Sequence, residues 1–307
     1  MAINKMMRAA LTVLSYPELD IKKNYPLERR LVELGSRRLK KPSLYRIWEH
    51  RVMRDGYEIP VRIFTPKADN SHHVLIFFHG GGWVTGSIDS YDGVCADMAS
   101  MTGRLVVSVD YRLAPEYRFP TGVEDCYAVT REIFLNDGLL DTKPKEIVLI
   151  GDSAGGNLAA AVSLMARDRG EFLPARQILI YPATGNDHSD NSKFPSVIEN
   201  GSGYLLTSRR VRDFLELYCA SEEDFQNPYL APLLSEDFSN QPDTLVITAE
   251  FCPLRDEGEA YGKELEKAGN RVKIYRMPDA LHGFFSLPTS FPHVKKTYEL
   301  INQFLED

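Results

Sequence analysis

Six short apolar runs, separated by stretches with helical spacing, constrain the fold of this chain more than any other feature. The runs cover residues 73–78, 104–109, 146–150, 177–181, 244–248 and 272–275. Helical patterns lie between most of them, at 123–135, 157–167 and 257–268. Because strands that alternate with helices run parallel and are covered on both faces, the pattern predicts an α/β fold with a mostly parallel sheet.

An antiparallel pair precedes these runs. The segments IWEHRVMR (47–54) and EIPVRIFTP (58–66) show the two-residue alternation of strands, and a short connection joins them. With the six later runs, the predicted sheet has eight strands. No linker divides the chain, so we expect one domain over residues 1–307.

Two segments outside this alternation are predicted to form a small helical cap. Residues 1–44 place apolar side chains at helical spacing, first in MMRAALTVL and then in LERRLVELGSRRLKK. The interval at about 185–225 is too long for a simple crossover, and it contains the helix-like segment TSRRVRDFLELYCA. We expect both segments to lie above the sheet.

Composition limits the partners of the chain. The 307 residues are 43% apolar and 26% charged, and the net charge of −7 argues against nucleic acid or an anionic membrane as a partner. The four cysteines are widely spaced and form no CxxC pair, which favours reduced thiols in the cytoplasm. The first residues, MAINKMMRAALTVLS, have a basic start but only a short apolar stretch and no small-residue cleavage site, so we expect no signal peptide. No apolar run reaches membrane-spanning length. We therefore expect a cytoplasmic protein with a small-molecule partner.

The strongest chemical signal is IVLIGDSAGGNLAAAVSLM, in which a buried strand runs through GxSxG into an alanine-rich helix. A serine at such a turn is thrust out at the carboxyl end of the sheet, and the flanking glycines avoid clashes with neighbouring backbone. The helix that begins behind Ser153 supplies free N–H groups where an oxyanion would form. The motif predicts that Ser153 is a nucleophile.

A second signal is the glycine run in VLIFFHGGGWVTGS. Three consecutive glycines lose much conformational entropy on folding, so such a run is costly in an ordinary turn. The cost is explained if backbone N–H groups must approach a ligand atom closely. We expect the amides of Gly81, Gly82 and Ala154 to form a three-donor oxyanion hole. A phosphate-binding loop is disfavoured because the lysine and spacing of a P-loop are missing.

The third signal is His282 in MPDALHGFFSLP, on a loop after the last predicted strand. The other histidines lie in strands, in the glycine loop, or in polar and proline-flanked loops. Only His282 follows Ser153 after a late strand, which fits the order serine, acid, histidine. No HExxH, cysteine cluster or paired carboxylates suggest a metal, so we expect neither metal nor cofactor.

Four motifs in order, HGGGW, YRLAPE, GDSAGGN and the tail from PLRDEG to LHGF, resemble those of the hormone-sensitive lipase-like esterases, a branch of the α/β-hydrolases. The resemblance runs from about residue 40 to the C-terminus. It implies the α/β-hydrolase fold, a cap, hydrolysis of short-chain acyl esters without a cofactor, and frequent homodimers. It also implies that Ser153 forms an acyl-enzyme intermediate and that His282 acts as general base and then as general acid.

The sequence departs from the family at the acid. The aspartate that opens the family's DPLRDEG motif is Cys252 in this chain. Asp256, one turn into the following helix, is our preferred substitute, and Glu250 is a second candidate. Cys252 itself could hold the imidazole, as a thiol or as a thiolate whose pKa is lowered by the helix N-terminus.

Two further possibilities for the acid remain open. A carboxylate after the preceding strand, Asp187 or Asp190, could reach the histidine, although the family does not support this. The orienting group could also be lost, which would reduce turnover on the order of 10⁴-fold but leave nucleophile, base and oxyanion hole in place.

Two other functions are compatible with the sequence. Some plant hormone receptors resemble this family with a damaged triad, so the chain could bind a small ligand beneath its cap. An amidase or deacetylase could use the same machinery. Intact Ser153, His282 and glycine loop favour an esterase over a binding protein, which has no chemical need for them.

Overall fold

The computed structural model describes residues 20–37, 46–66 and 72–307. The helical pattern predicted within residues 1–19 and the remainder of the N-terminal cap segment at 38–44 lie outside these ranges. Eight strands are present: β1 Arg46–Arg54, β2 Tyr57–Thr65, β3 Val74–Phe78, β4 Leu105–Val109, β5 Ile147–Asp152, β6 Arg176–Ile180, β7 Asp243–Phe251 and β8 Val272–Leu281.

The helices of the described ranges are α1 Ile21–Arg37, α2 Asp92–Thr102, α3 Thr121–Leu135, α4 Asp137–Leu140, α5 Ala154–Arg169, α6 Pro195–Glu199, α7 Ser208–Tyr218, α8 Arg255–Lys267 and α9 Pro292–Glu306. Short 3-10 helices cover Pro144–Glu146, Glu223–Gln226, Pro232–Leu234 and Phe284–Ser286. The helices predicted within 123–135, 157–167, 207–220 and 257–268 correspond to α3, α5, α7 and α8.

The strands form one sheet in the order β1-β2-β4-β3-β5-β6-β7-β8. β1 and β2 pair antiparallel through a turn at Asp55 and Gly56, whose φ angles of 50° and 79° suit a two-residue hairpin. From β4 to β8 every pairing is parallel. The predicted eight-stranded, mostly parallel sheet is therefore confirmed.

The parallel arrangement brings distant segments to one edge of the sheet. β3, β4 and β5 are buried along their whole length, which explains their uninterrupted apolar sequences. Their carboxyl ends point the same way, so the loops after β3, β5, β7 and β8 gather at one edge. The predicted glycine loop, serine turn, acid position and histidine all lie on these four loops.

Two helices from distant parts of the chain lie together over this edge. α1, from the N-terminal segment, contacts α7, from the long insertion, through ion pairs of Glu28 with Arg210 and of Lys22 with Asp213. Arg29 of α1 also donates to the carbonyl oxygen of Val84, at 2.7 Å, just beyond the glycine loop. The two predicted cap segments thus contribute adjacent helices.

Candidate active site

Ser153 lies at a sharp turn between β5 and α5. Its φ of 56° and ψ of −118° are uncommon for a residue with a side chain. The flanking glycines permit the turn: a Cβ on Gly155 would lie 1.9 Å from the backbone oxygen of Phe78, and one on Gly151 would lie 2.2 Å from the oxygen of Gly155. The GxSxG sequence is therefore required for this geometry, which directs Ser153 into a cavity.

His282 is within hydrogen-bond distance of this serine. Its Nε2 lies 2.9 Å from Ser153 Oγ. Burial lowers the pKa of His282 from 6.5 to about 3, so the ring is neutral at ordinary pH. The Tyr181 ring packs against the imidazole with 4.7 Å between ring centroids. A neutral imidazole so placed can take the hydroxyl proton.

Cys252 lies at the other nitrogen of the imidazole. Its Sγ is 3.1 Å from His282 Nδ1, and the backbone N–H of Leu254 donates to the same sulfur at 3.4 Å. β7 and β8 are longer than predicted, and Phe251 pairs with Leu281 at their ends. The residues that follow, Cys252 and His282, are consequently neighbours.

The structure does not bring the preferred acid, Asp256, to the imidazole, and this corrects the expectation. Its carboxylate is 2.7 Å from Arg255 Nε and accepts the backbone N–H of Ser196 at 2.7 Å. Asp256 belongs to α8, whose side-chain directions are set by the helix rather than by the end of β7. Through Ser196, the carboxylate instead links α8 to the insertion between β6 and β7.

Glu250 is also engaged elsewhere. Its Oε2 accepts the backbone N–H of Asp279 at 2.6 Å. Asp279 has a φ of 57° and lies where the register of β7 and β8 shifts, so Glu250 stabilises the irregularity that carries β8 to His282.

Cys252 is a neutral thiol at this position. The side chain is fully buried, and burial raises the pKa of Cys252 well above its usual range, despite the opposing hydrogen bond from the Leu254 amide. The thiolate alternative, which required a lowered pKa, is corrected accordingly. The imidazole thus faces a weak, uncharged hydrogen-bonding group in place of a carboxylate.

The glycine loop lies beside the serine. Gly81 and Gly82 have φ angles of 116° and 61°, which favour glycine. A Cβ on Gly81 would lie 2.2 Å from the oxygen of Thr85, and one on Gly82 would lie 2.4 Å from the ring of Phe214. Both glycines line the same cavity as Ser153, together with Ala154 at the start of α5.

Sequence reasoning missed Asp152, which joins the two loops. Its Oδ1 accepts the N–H of Gly80 at 2.9 Å, and its Oδ2 accepts from the hydroxyls of Tyr91 at 3.2 Å and Tyr181 at 3.3 Å. Burial raises the pKa of Asp152 to about 6. The signal was present, since this aspartate directly precedes Ser153 in the motif; its partners come from distant segments and only the fold identifies them.

The site forms a cavity of ≈250 Å³ beneath the α1–α7 pair. Residues of the glycine loop, the serine turn and the histidine loop form its floor: Gly81, Gly82, Ser153, Ala154 and His282. Apolar side chains from and near α7 cover it: Leu205, Leu206, Val211 and Phe214. Glu28 and Arg210 also line it. A mainly apolar cavity with a few convergent polar groups suits a small, mostly apolar molecule that carries one polarised carbonyl.

Two features, a metal-ligand cluster and a membrane-spanning helix, do not occur in residues 20–37, 46–66 and 72–307. In these ranges, no group of three or more His, Cys, Asp or Glu side chains is placed to hold a metal ion. Of the helices described, none combines the length and apolarity that spanning a bilayer requires.

Comparisons with known proteins agree with the geometry. Residues 75–286 match the family described as the alpha/beta hydrolase fold. An arylesterase of Saccharolobus solfataricus is 35% identical over 263 residues, which cover 85% of this chain and 84% of that protein. An ethyl acetate hydrolase of Pseudomonas putida is 36% identical over 238 residues, which cover 76% of this chain and 74% of that protein.

A solved structure is similar over the whole chain. The hyperthermophilic esterase of the archaeon Pyrobaculum calidifontis superposes with a TM-score of 0.88 and 35% sequence identity, and the match covers 100% of this chain and 98% of that one.

Proposed function

The chain belongs to the α/β-hydrolase family, in its hormone-sensitive lipase-like group of carboxylic ester hydrolases, and we propose that it cleaves short-chain acyl esters through an acyl-enzyme on Ser153. The observation that carries the proposal is the 2.9 Å contact between Ser153 Oγ and His282 Nε2 at the floor of the cavity beneath α1 and α7. A nucleophile and base within hydrogen-bond reach are the signature of covalent acyl transfer.

The reaction proceeds in two matched halves. Ser153 Oγ attacks the ester carbonyl carbon while His282 Nε2 takes the hydroxyl proton; the tetrahedral intermediate then collapses, and the alcohol leaves with that proton. Water attacks the acyl-enzyme with His282 again as base, and the carboxylic acid is released. Atoms balance as one water consumed for one ester cleaved.

The amides of Gly81, Gly82 and Ala154 stabilise the oxyanion of each tetrahedral intermediate. All three residues line the cavity next to Ser153. Gly81 and Gly82 orient their amides with positive φ angles, a backbone conformation that residues with a side chain rarely adopt. The anchor of the loop is the hydrogen bond from Gly80 N–H to Asp152. Fixed amide donors stabilise charge without reorganisation, and removal of one such donor raises the barrier by ~3 to 4 kcal/mol.

Cys252 acts as a positioning residue that selects the imidazole tautomer. If Nδ1 carries the proton and donates it to Sγ, Nε2 is free to accept from Ser153. If the thiol instead donates to Nδ1, the ring proton is on Nε2 and Ser153 has no base. The sulfur accepts the N–H of Leu254, and in the productive arrangement it accepts the Nδ1 proton of His282 as well.

Short acyl chains fit the size of the cavity. Its volume of ≈250 Å³ lies below the usual range for pockets that bind drug-sized ligands, about 300 to 1,000 Å³. The name of the Pseudomonas putida relative, ethyl acetate hydrolase, agrees with a small ester. Acetyl-like esters are therefore the proposed substrates.

The test compares wild type with Ser153→Ala and with Ser163→Ala, which alters another buried serine, on α5. On p-nitrophenyl acetate we expect Ser153→Ala to lose about 10⁴-fold or more in kcat and Ser163→Ala to remain near wild type. Paraoxon should add one diethyl phosphoryl group to wild type, at Ser153. Equal turnover by wild type and Ser153→Ala, or labelling at another residue, would refute the proposal.

A further inference from the structure

A second cavity lies behind the wall of the active site. This side chamber has a volume of ≈290 Å³ and is formed by α1, α2, the segment after His282 and α9. Its lining is largely apolar, with Val94, Phe285, Leu287 and Val294 among the side chains. The mechanism proposed above uses none of these residues.

The side chamber and the active-site cavity share two lining residues. Tyr91 and Ser286 border both spaces, so these two side chains form the partition between them. The Tyr91 hydroxyl donates a hydrogen bond to Asp152, beside the nucleophile, at 3.2 Å. Ser286 is exposed and ends the 3-10 helix Phe284–Ser286, close behind His282.

We propose that the side chamber is a subsite for the distal apolar chain of an ester whose carbonyl lies at Ser153, an inference that rests on the proposed function. The two cavities adjoin at Tyr91 and Ser286, so the chain would cross between them at these side chains, and the apolar lining of the side chamber supplies the chemistry. The occupant is an unbranched alkyl chain, either of the acyl group or of the alcohol. Esters with such chains extend the substrate range beyond acetyl-like compounds.

Gly93 offers a way to fill the chamber without disturbing the protein. It lies in the first turn of α2 and lines the chamber, and a Cβ added there would meet no atom within 4 Å. Gly93→Phe should therefore place its ring in the chamber. Gly138→Phe is the matched control, because Gly138 is an exposed glycine of the short helix α4 whose added Cβ would lie 3.5 Å from its nearest neighbour.

Chain-length profiles test the subsite. Each buried methylene contributes about fourfold in kcat/KM, the equivalent of ~0.8 kcal/mol, so loss of two methylene sites lowers it by about 15-fold. We expect Gly93→Phe to lower kcat/KM for p-nitrophenyl octanoate by about tenfold or more and to leave p-nitrophenyl acetate within about twofold. A loss on octyl acetate alone would assign the chamber to the alcohol chain.

Three results with wild type and Gly93→Phe would overturn the subsite: no turnover of octyl substrates by wild type, wild-type octyl kinetics in Gly93→Phe, or an equal loss on acetate and octanoate in Gly93→Phe. The same loss in Gly138→Phe would also contradict it.

Ligand binding to the inactive variant Ser153→Ala tests the side chamber independently of the proposed esterase activity. Sodium octanoate should raise the Tm of Ser153→Ala more than sodium acetate does, and the added Gly93→Phe substitution should abolish the difference. If wild type shows no Ser153-dependent esterase activity while this difference remains, the function fails and the chamber stands. If activity is present, the difference is missing and Gly93→Phe shows no loss on octyl acetate, the chamber fails alone.

Discussion

Replacement of Cys252 by aspartate should increase the activity of this protein. Sγ of Cys252 lies 3.1 Å from His282 Nδ1, so a carboxylate at the same position would accept the Nδ1 proton. The N–H of Leu254, which now donates to the sulfur, would donate to the carboxylate. The new charge would therefore have two donors at a fully buried position, a condition for its being tolerated.

The size of the gain follows from the charge that develops on the ring. Burial lowers the pKa of His282 from 6.5 to about 3, with no carboxylate to oppose it, so the imidazolium formed in the transition state is destabilised. A carboxylate in contact with the ring reverses part of this penalty. Loss of the correct tautomer in a serine hydrolase reduces turnover about 10⁴-fold. Because the thiol already permits that tautomer, we expect Cys252→Asp to raise kcat by a smaller factor, about 10- to 1,000-fold.

The assay is steady-state hydrolysis of p-nitrophenyl acetate, with Cys252→Asn as the matched neutral control. Asparagine has the same shape as aspartate, but its NH₂ group can donate to Nδ1 and hold the proton on Nε2, so kcat should fall below wild type. Circular dichroism and thermal unfolding establish that each variant is folded. If folded Cys252→Asp is no faster than folded Cys252→Asn, the orienting role of this position is refuted.

The pH profile gives a second readout of the same substitution. His282 must be neutral to act as base, and with a pKa of about 3 it stays neutral from pH 8 to 5. The adjacent carboxylate stabilises the charged ring, so its pKa rises, and kcat/KM of Cys252→Asp should fall as the pH drops toward 5, relative to wild type. Parallel profiles for the two proteins would contradict this account.

Two further substitutions test the rest of the site. Gly82→Ala should lower kcat about 10²- to 10³-fold. At a φ of 61° the added Cβ would lie 2.4 Å from the Phe214 ring, so the loop must shift and the oxyanion amide is displaced. Gly93→Ala is the control and should leave p-nitrophenyl acetate kinetics unchanged, because its Cβ would meet no atom within 4 Å. Asp256→Asn should change kcat less than tenfold yet lower the free energy of unfolding in urea by about 1 to 3 kcal/mol, because its bond to Arg255 is structural; a fall of three decades in kcat would restore it as the acid.

Local sequence patterns were sufficient for the sheet and for two loops of the site. Apolar runs predicted the strands β3 to β8, because burial on both faces of a parallel sheet requires uninterrupted apolar residues, and two-residue alternation predicted β1 and β2. The glycines around Ser153 and in HGGG were informative because a Cβ at those positions would overlap backbone atoms or a neighbouring ring. Such steric requirements are properties of a few adjacent residues, so they can be recognised in the sequence.

The partner of the imidazole could not be predicted in the same way. The sequence by itself determined that a cysteine stands where the family has its aspartate, and it left Asp256 and Glu250 as alternatives. Only the tertiary structure excluded these, because the contact depends on how far β7 and β8 pair and on the shift in their register, which brings Cys252 beside His282. Contacts between residues 30 positions apart are set by strand pairing and helix direction, and no local pattern encodes them. The same holds for Asp152, whose three donors come from three different segments.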